Sequence, residues 1–108
     1  MKKVLWQPKA LSEVRGFQPG IRREIGYLIF RLQKGEILGL PFSRPMPDVA
    51  AGSSELRVRG PDGVYRVFYF LKLENNVIVF HVFKKKTQQT PSYEIKQGTK
   101  RLKELLND

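Results

Sequence analysis

From Glu55 onward the chain alternates short apolar runs with turn clusters, a pattern that few folds accommodate. Glu55-Leu56-Arg57-Val58-Arg59 alternates polar and apolar residues, as a half-buried strand does. Gly60-Pro61-Asp62-Gly63 is a turn cluster. Val64 to Leu73 is rich in aromatic and β-branched residues and predicts a second strand. Glu74-Asn75-Asn76 predicts a hairpin turn, and Val77 to Phe83, the most apolar run, predicts a third and central strand. Three strands joined by two tight turns make an antiparallel meander.

The flanks supply helices. Val4-Leu5-Trp6 predicts a short strand ended by Pro8, followed by one or two helical turns up to Arg15. Ile21, Ile25, Leu28, Ile29 and Leu32 fall on one stripe of a second helix, with Gly35 as its C-cap. Residues 36–54 contain Pro41, Pro45, Pro47 and Gly52 and predict a long loop with at most one short turn, a feature often tied to function. Past Pro91, Ser92-Tyr93-Glu94-Ile95 opens a last helix with Ile95, Leu102, Leu105 and Leu106 on its buried side and Gly98 weakening its middle. The order β-α-α-β-β-β-α predicts an α+β fold, a small antiparallel sheet with helices mainly on one face. The 108 residues are enough for one domain over 1–108 and too few for two.

Charge points to the partner. The net charge is +10, shared as +5 in each half, so it belongs to the folded surface and not to a tail. Such a field steers the protein to polyanions, nucleic acid first, with an acidic protein or an acidic membrane surface as alternatives. The absence of cysteine excludes disulfides, thiolate catalysis and Cys-type zinc sites. One histidine, His81, cannot build a metal site, and on an apolar strand it reads as a packed, hydrogen-bonded residue. No signal peptide or spanning segment is visible, which predicts a soluble cytoplasmic protein with no membrane partner.

The basic residues carry the candidate chemistry. Arg57 and Arg59 share one strand face, either as phosphate contacts or as a solvated edge. Arg66, flanked by Tyr65 and Val67, needs a partner or a wet face. Lys84, Lys85 and Lys86 leave the last strand together, as a phosphate-facing cluster or a solvated run. Tyr65, Tyr69 and Phe83 offer stacking surfaces for bases, or simply pack the core. Tyr93 is a possible acid or base close to the lysines in sequence, or a packing residue. Metal-free RNA cleavage needs a base for the ribose 2′-OH, cations for the crowded phosphate and an acid for the leaving oxygen. Crowded lysines suit the first task, because like charges pull a lysine toward neutrality; arginine suits the second, because it stays charged.

Glu55-Leu56-Arg57-Val58-Arg59, Val64-Tyr65-Arg66-Val67-Phe68-Tyr69, Val82 through Pro91, and Glu94-Ile95 with Lys100-Arg101-Leu102 together closely resemble the phage-derived branch of the RelE/HigB-like toxins. The resemblance covers most of residues 4–106 and implies a RelE/ParE-type fold, a curved antiparallel sheet with helices on one side. It implies the toxin of a type II toxin–antitoxin system that cleaves mRNA, usually on the ribosome, without a metal or cofactor. The partner it implies is a cognate antitoxin, often with a helix-turn-helix domain, that masks the basic face and alone brings the toxin to operator DNA. In this likeness Arg66 is the transition-state cation and Arg57 and Arg59 bind RNA. Lys84 and Lys85 are the basic pair after the last strand, Lys86 is a further phosphate contact, and Tyr93 stands for a tyrosine that some relatives use as acid or base. The chain departs at Glu55, where better-studied members place a lysine, and the same superfamily contains gyrase poisons with no ribonuclease activity.

Overall fold

The computed structural model describes residues 1–72, 75–85 and 90–106. The element order is β1 (Lys3–Trp6), α1 (Pro8–Arg15), α2 (Pro19–Gln33), β2 (Ser43–Pro45), β3 (Ser53–Gly60), β4 (Gly63–Lys72), β5 (Asn76–Lys85) and α3 (Ser92–Leu106). The meander is present, with β3, β4 and β5 paired antiparallel. Two features differ from expectation. The loop over 36–54 contributes a fourth meander strand, β2, which pairs with β3 through Ser43↔Leu56 to Pro45↔Ser54. β1 lies parallel to β5, so the five-stranded sheet, ordered β1-β5-β4-β3-β2, is mixed and not purely antiparallel.

Each helix starts and stops for a local reason. Gln7 caps α1 by accepting the Ala10 N–H at 2.8 Å, and Pro8 takes the first helical position, where a missing N–H costs nothing. α2 ends at Lys34, and Gly35 follows with φ +92°, the left-handed conformation that closes helices.

α1 and α2 cover one face of the sheet. Ala10, Val14, Ile25, Leu28 and Leu32 pack there on Leu56, Val58, Val67, Val79 and Val82. α3 covers part of the other face, with Leu102, Ile95 and Leu105 against Phe68, Phe80 and Phe83. The one-face arrangement therefore holds for the first two helices only. The apolar residues of β4 and β5 alternate between both faces, and a second apolar face has to be covered. Gly98 is where α3 comes closest to the sheet: a Cβ there would lie 2.7 Å from the Phe68 ring. Gly98→Ala is therefore expected to destabilise the fold by roughly 1–3 kcal/mol through overpacking, despite a helix-propensity gain of about 1 kcal/mol. A thermal melt checks the sign.

One irregularity positions the site. In the β4–β5 ladder Phe68 pairs with His81 and Tyr69 pairs with Val79, so Phe80 is an extra residue, a β-bulge. Before it, Val77 and Val79 face α2; after it, Val82 does. His81, Phe83 and Lys85 thus fall on the α3 side. Among the described residues no helix is long and apolar enough to cross a membrane.

Candidate nucleic-acid site

Register brings the basic residues together. Arg57 pairs with Arg66, and Arg66 with Phe83, while Arg59 pairs with Val64, and Val64 with Lys85. By alternation Glu55, Arg57 and Arg59 on β3, Arg66 on β4 and Lys85 on β5 share the α3-side face, beyond the part that α3 covers.

The centre of this group is a buried carboxylate. Glu55 is fully buried, and its Oε2 accepts from Arg44 Nε at 2.8 Å and from Arg66 Nη1 in a very short contact. Arg57 Nε stands 3.9 Å from the same oxygen. Arg66, the largest fully buried side chain, is 1% exposed. Burial pulls its guanidinium below the ordinary value, Glu55 opposes this, and the neighbouring arginine charges add to the lowering. Glu55 Oε1 and the Nε atoms of Arg57 and Arg66 are buried without a hydrogen-bond partner among the described residues, which leaves binding capacity in the cluster.

Lys85 completes the group. It is buried, and desolvation followed by the Arg66 charge lowers its pKa from 10.5 to about 8, with Glu55 pulling the other way. Because the folded pKa lies below the unfolded one, this lysine's contribution to stability is full above about pH 10.5 and is lost as pH falls through about 8. The lowered value brings the Lys85 amine closer to losing its proton near neutrality than an ordinary lysine, beside fixed cations.

The remaining candidates are elsewhere. Lys84 points to the opposite face, where its Nζ donates to Asp62 Oδ2 at 3.1 Å. That bond raises the Lys84 pKa and lowers the Asp62 pKa, so Lys84 is an ordinary ion-paired cation and not a member of the cluster. Tyr65 shares that side: its hydroxyl donates to Asp62 at 3.0 Å and its ring meets Phe17 edge-on at 4.8 Å. Tyr69 is buried, with its hydroxyl 2.6 Å from Ser43 Oγ. Both tyrosines belong to the α1–α2 core, so the expectation that they stack on bases is corrected. Phe83 is likewise packed, edge-on to Phe68 at 5.5 Å. Tyr93 is 66% exposed in the first turn of α3. Lys86 lies outside the described residues.

His81 has a structural environment. Arg101 Nη1 lies 2.9 Å from its Nδ1, and Glu94 Oε1 lies 2.8 Å from its Nε2. A guanidinium only donates, so Nδ1 must be the acceptor and Nε2 carries the proton to Glu94. Arg101 continues to Glu13 on α1 at 3.0 Å, tying α3 to α1 past the β5 edge. Burial lowers the His81 pKa, although the Glu94 bond opposes it, so the ring is a neutral strut.

Residues 12–103 match the profile of the family described as Phage derived protein Gp49-like. The chain belongs to this Gp49-like family. No curated protein matches it significantly. Among solved structures, the isolated Escherichia coli RelE toxin superposes with a TM-score of 0.59 at 21% identity, covering 94% of this chain and 99% of that one. A mutant form of E. coli RelE in the free state gives a TM-score of 0.53 at 16% identity, over 96% and 97% of the two chains. The Gp49-like chain therefore has the RelE fold.

Within that fold two members of the cluster carry no prior expectation of function. Arg44 sits on a three-residue strand between prolines, too short to leave a periodic signal. Glu55 shares the parity of Arg57 and Arg59, and that alternation was the available clue.

Proposed function

We propose that this protein is the toxin of a type II toxin–antitoxin pair and acts as a metal-independent endoribonuclease on mRNA, engaged at the ribosome. The observation that supports this most is the pairing of a buried, permanently charged Arg66 with a Lys85 whose pKa is lowered to about 8. A site that only binds phosphate gains nothing from a lysine that gives up its proton this readily, whereas proton abstraction near neutral pH requires one.

In this reading the Lys85 amine takes the proton of a ribose 2′-OH. The 2′ oxygen attacks the adjacent phosphorus and the bond to the 5′ oxygen breaks, leaving a 2′,3′-cyclic phosphate and a 5′-hydroxyl. Arg66 stabilises the charge gathering on the phosphoryl oxygens, with Arg57 and Arg59 holding the neighbouring phosphates. Tyr93, exposed at the start of α3, is the candidate proton donor to the leaving oxygen. The partner is a cognate antitoxin that covers the basic face, carries a helix-turn-helix domain and brings the complex to operator DNA.

Cleavage is expected to rise with pH and level off above about 8, as the Lys85 amine loses its proton. Lys85→Met should remove that rise and lower the plateau by roughly 10²–10⁴-fold, the usual contribution of a general base. A pH–rate profile of both proteins checks this, and an unaltered profile in the variant assigns the base elsewhere. In cells, induction followed by mapping of mRNA 5′ ends tests the activity itself. New ends inside translated frames support the ribonuclease, whereas growth arrest without new ends supports a gyrase-directed toxin.

A further inference from the structure

The reaction above leaves unused a cleft that opens beside it. It starts at Arg44, beside the Glu55 cluster, as a section of about 310 Å³ lined by Met46, Asp48, Thr90 and Ile95 among others. A second section of about 880 Å³ shares Asp48 and Ile95 with the first and continues along α3 past Lys96, Thr99, Lys100 and Lys103. The two sections run away from the arginine cluster as one track between α3 and the segment joining β2 to β3.

Lys96, Lys100 and Lys103 fall at i, i+4 and i+7, one side of the helix, over about 10 Å. All three are exposed, and none forms an ion pair among the described residues. The wall opposite is fixed: the Thr99 hydroxyl donates to Val49 O at 2.8 Å, tying helix to segment across the cleft floor. Asp48 and Glu104 also line it, so the lining is net positive and not uniformly so. Among the described residues its lining contains no aromatic side chain to anchor a protein partner or stack on a base. Cations in a row, without stacking platforms, suit a sugar–phosphate backbone read without regard to sequence.

We propose that this cleft carries the backbone of the single-stranded RNA flanking the cleaved nucleotide, with Lys96, Lys100 and Lys103 on successive phosphates. The proposal rests on the ribonuclease reading for its substrate, and its test does not use cleavage. The probe is a 2′-O-methyl RNA dodecamer, which cannot be cut, titrated against the purified protein at several salt concentrations. Each phosphate contact on a single strand contributes about −0.7 to the slope of log affinity against log salt. Lys96→Gln/Lys100→Gln is expected to flatten the slope by roughly 1.4, while the distant pair Lys3→Gln/Lys9→Gln leaves it unchanged. Thermal melts of both variants report the fold, which neither exposed pair should disturb.

Equal slopes in the two double variants, or no binding by the wild type, overturn the proposal. Unchanged RNA binding combined with a lost hold on a polyglutamate peptide also overturns it and assigns the cleft to an acidic protein. A flattened slope in a protein that cuts no RNA in cells would sustain the cleft and sink the ribonuclease reading, so the two failures are separable.

Discussion

Replacing Arg66 with alanine is expected to lower RNA cleavage by about 10²–10³-fold, the loss seen when one preorganised charge-stabilising donor is removed. Arg66 is also structural: it is buried against a buried Glu55, so the alanine variant leaves a carboxylate with one partner fewer. Lost activity alone is therefore ambiguous between chemistry and folding. The double variant Arg66→Met/Glu55→Leu resolves this. Replacing a buried ion pair by apolar residues of similar volume is often neutral or stabilising. Arg44 and Arg57, which also lose Glu55, are partly exposed and can turn to water, so this protein should melt well above the alanine variant and closer to the wild type. If it does and still cleaves at less than about a hundredth of the rate of a Glu55→Gln control that keeps Arg66, Arg66 has a role in the chemistry. If the folded double variant cleaves normally, the assignment of Arg66 is wrong.

Glu55→Ala is the second large effect. It removes the anion that Arg44 and Arg66 bond and that Arg57 approaches, leaving three guanidinium groups facing one another. Breaking a buried pair by deleting one partner costs roughly 3–5 kcal/mol. For a chain of this length that is a fall in Tm on the order of 20 °C. High salt should recover part of the loss, because Arg44 and Arg57 are partly exposed and their repulsion is screened. A melt that moves by only a degree or two would mean that the arginines repack around water at little cost, and the carboxylate would lose its role as the keystone of the cluster.

The meander was legible because each strand alternates and each turn carries its own residues. The parallel pairing of β1 left no trace, since a strand's partner is chosen by distant contacts. The side taken by α3 was equally silent: its apolar stripe says that it packs, not on which face. Within the site, parity put Arg57 and Arg59 on one face, whereas Arg66 joins them through the β3–β4 register, which spacing alone does not set. The same parity, applied to Tyr65 and Tyr69, sets them opposite Arg66, and stacking on RNA was an expectation that alternation already opposed. Which lysine of Lys84, Lys85 and Lys86 faces the arginines could not be read from spacing, because the extra residue at Phe80 breaks the count.

That extra residue makes β5 two half-strands spliced out of step. Upstream of the splice, the odd positions Val77 and Val79 pack on the α1–α2 side; downstream, the odd positions His81, Phe83 and Lys85 lie on the side of the arginine cluster and α3. The splice lets a single strand serve the α1–α2 core at one end and the basic cluster at the other. Mutations can tune the outgoing half without re-phasing the incoming one, and loss of Phe80 alone would leave Val79 opposite Tyr69 and His81 opposite Phe68, so Lys85 would keep its place opposite Val64 and the loss would fall on the aromatic packing against α3.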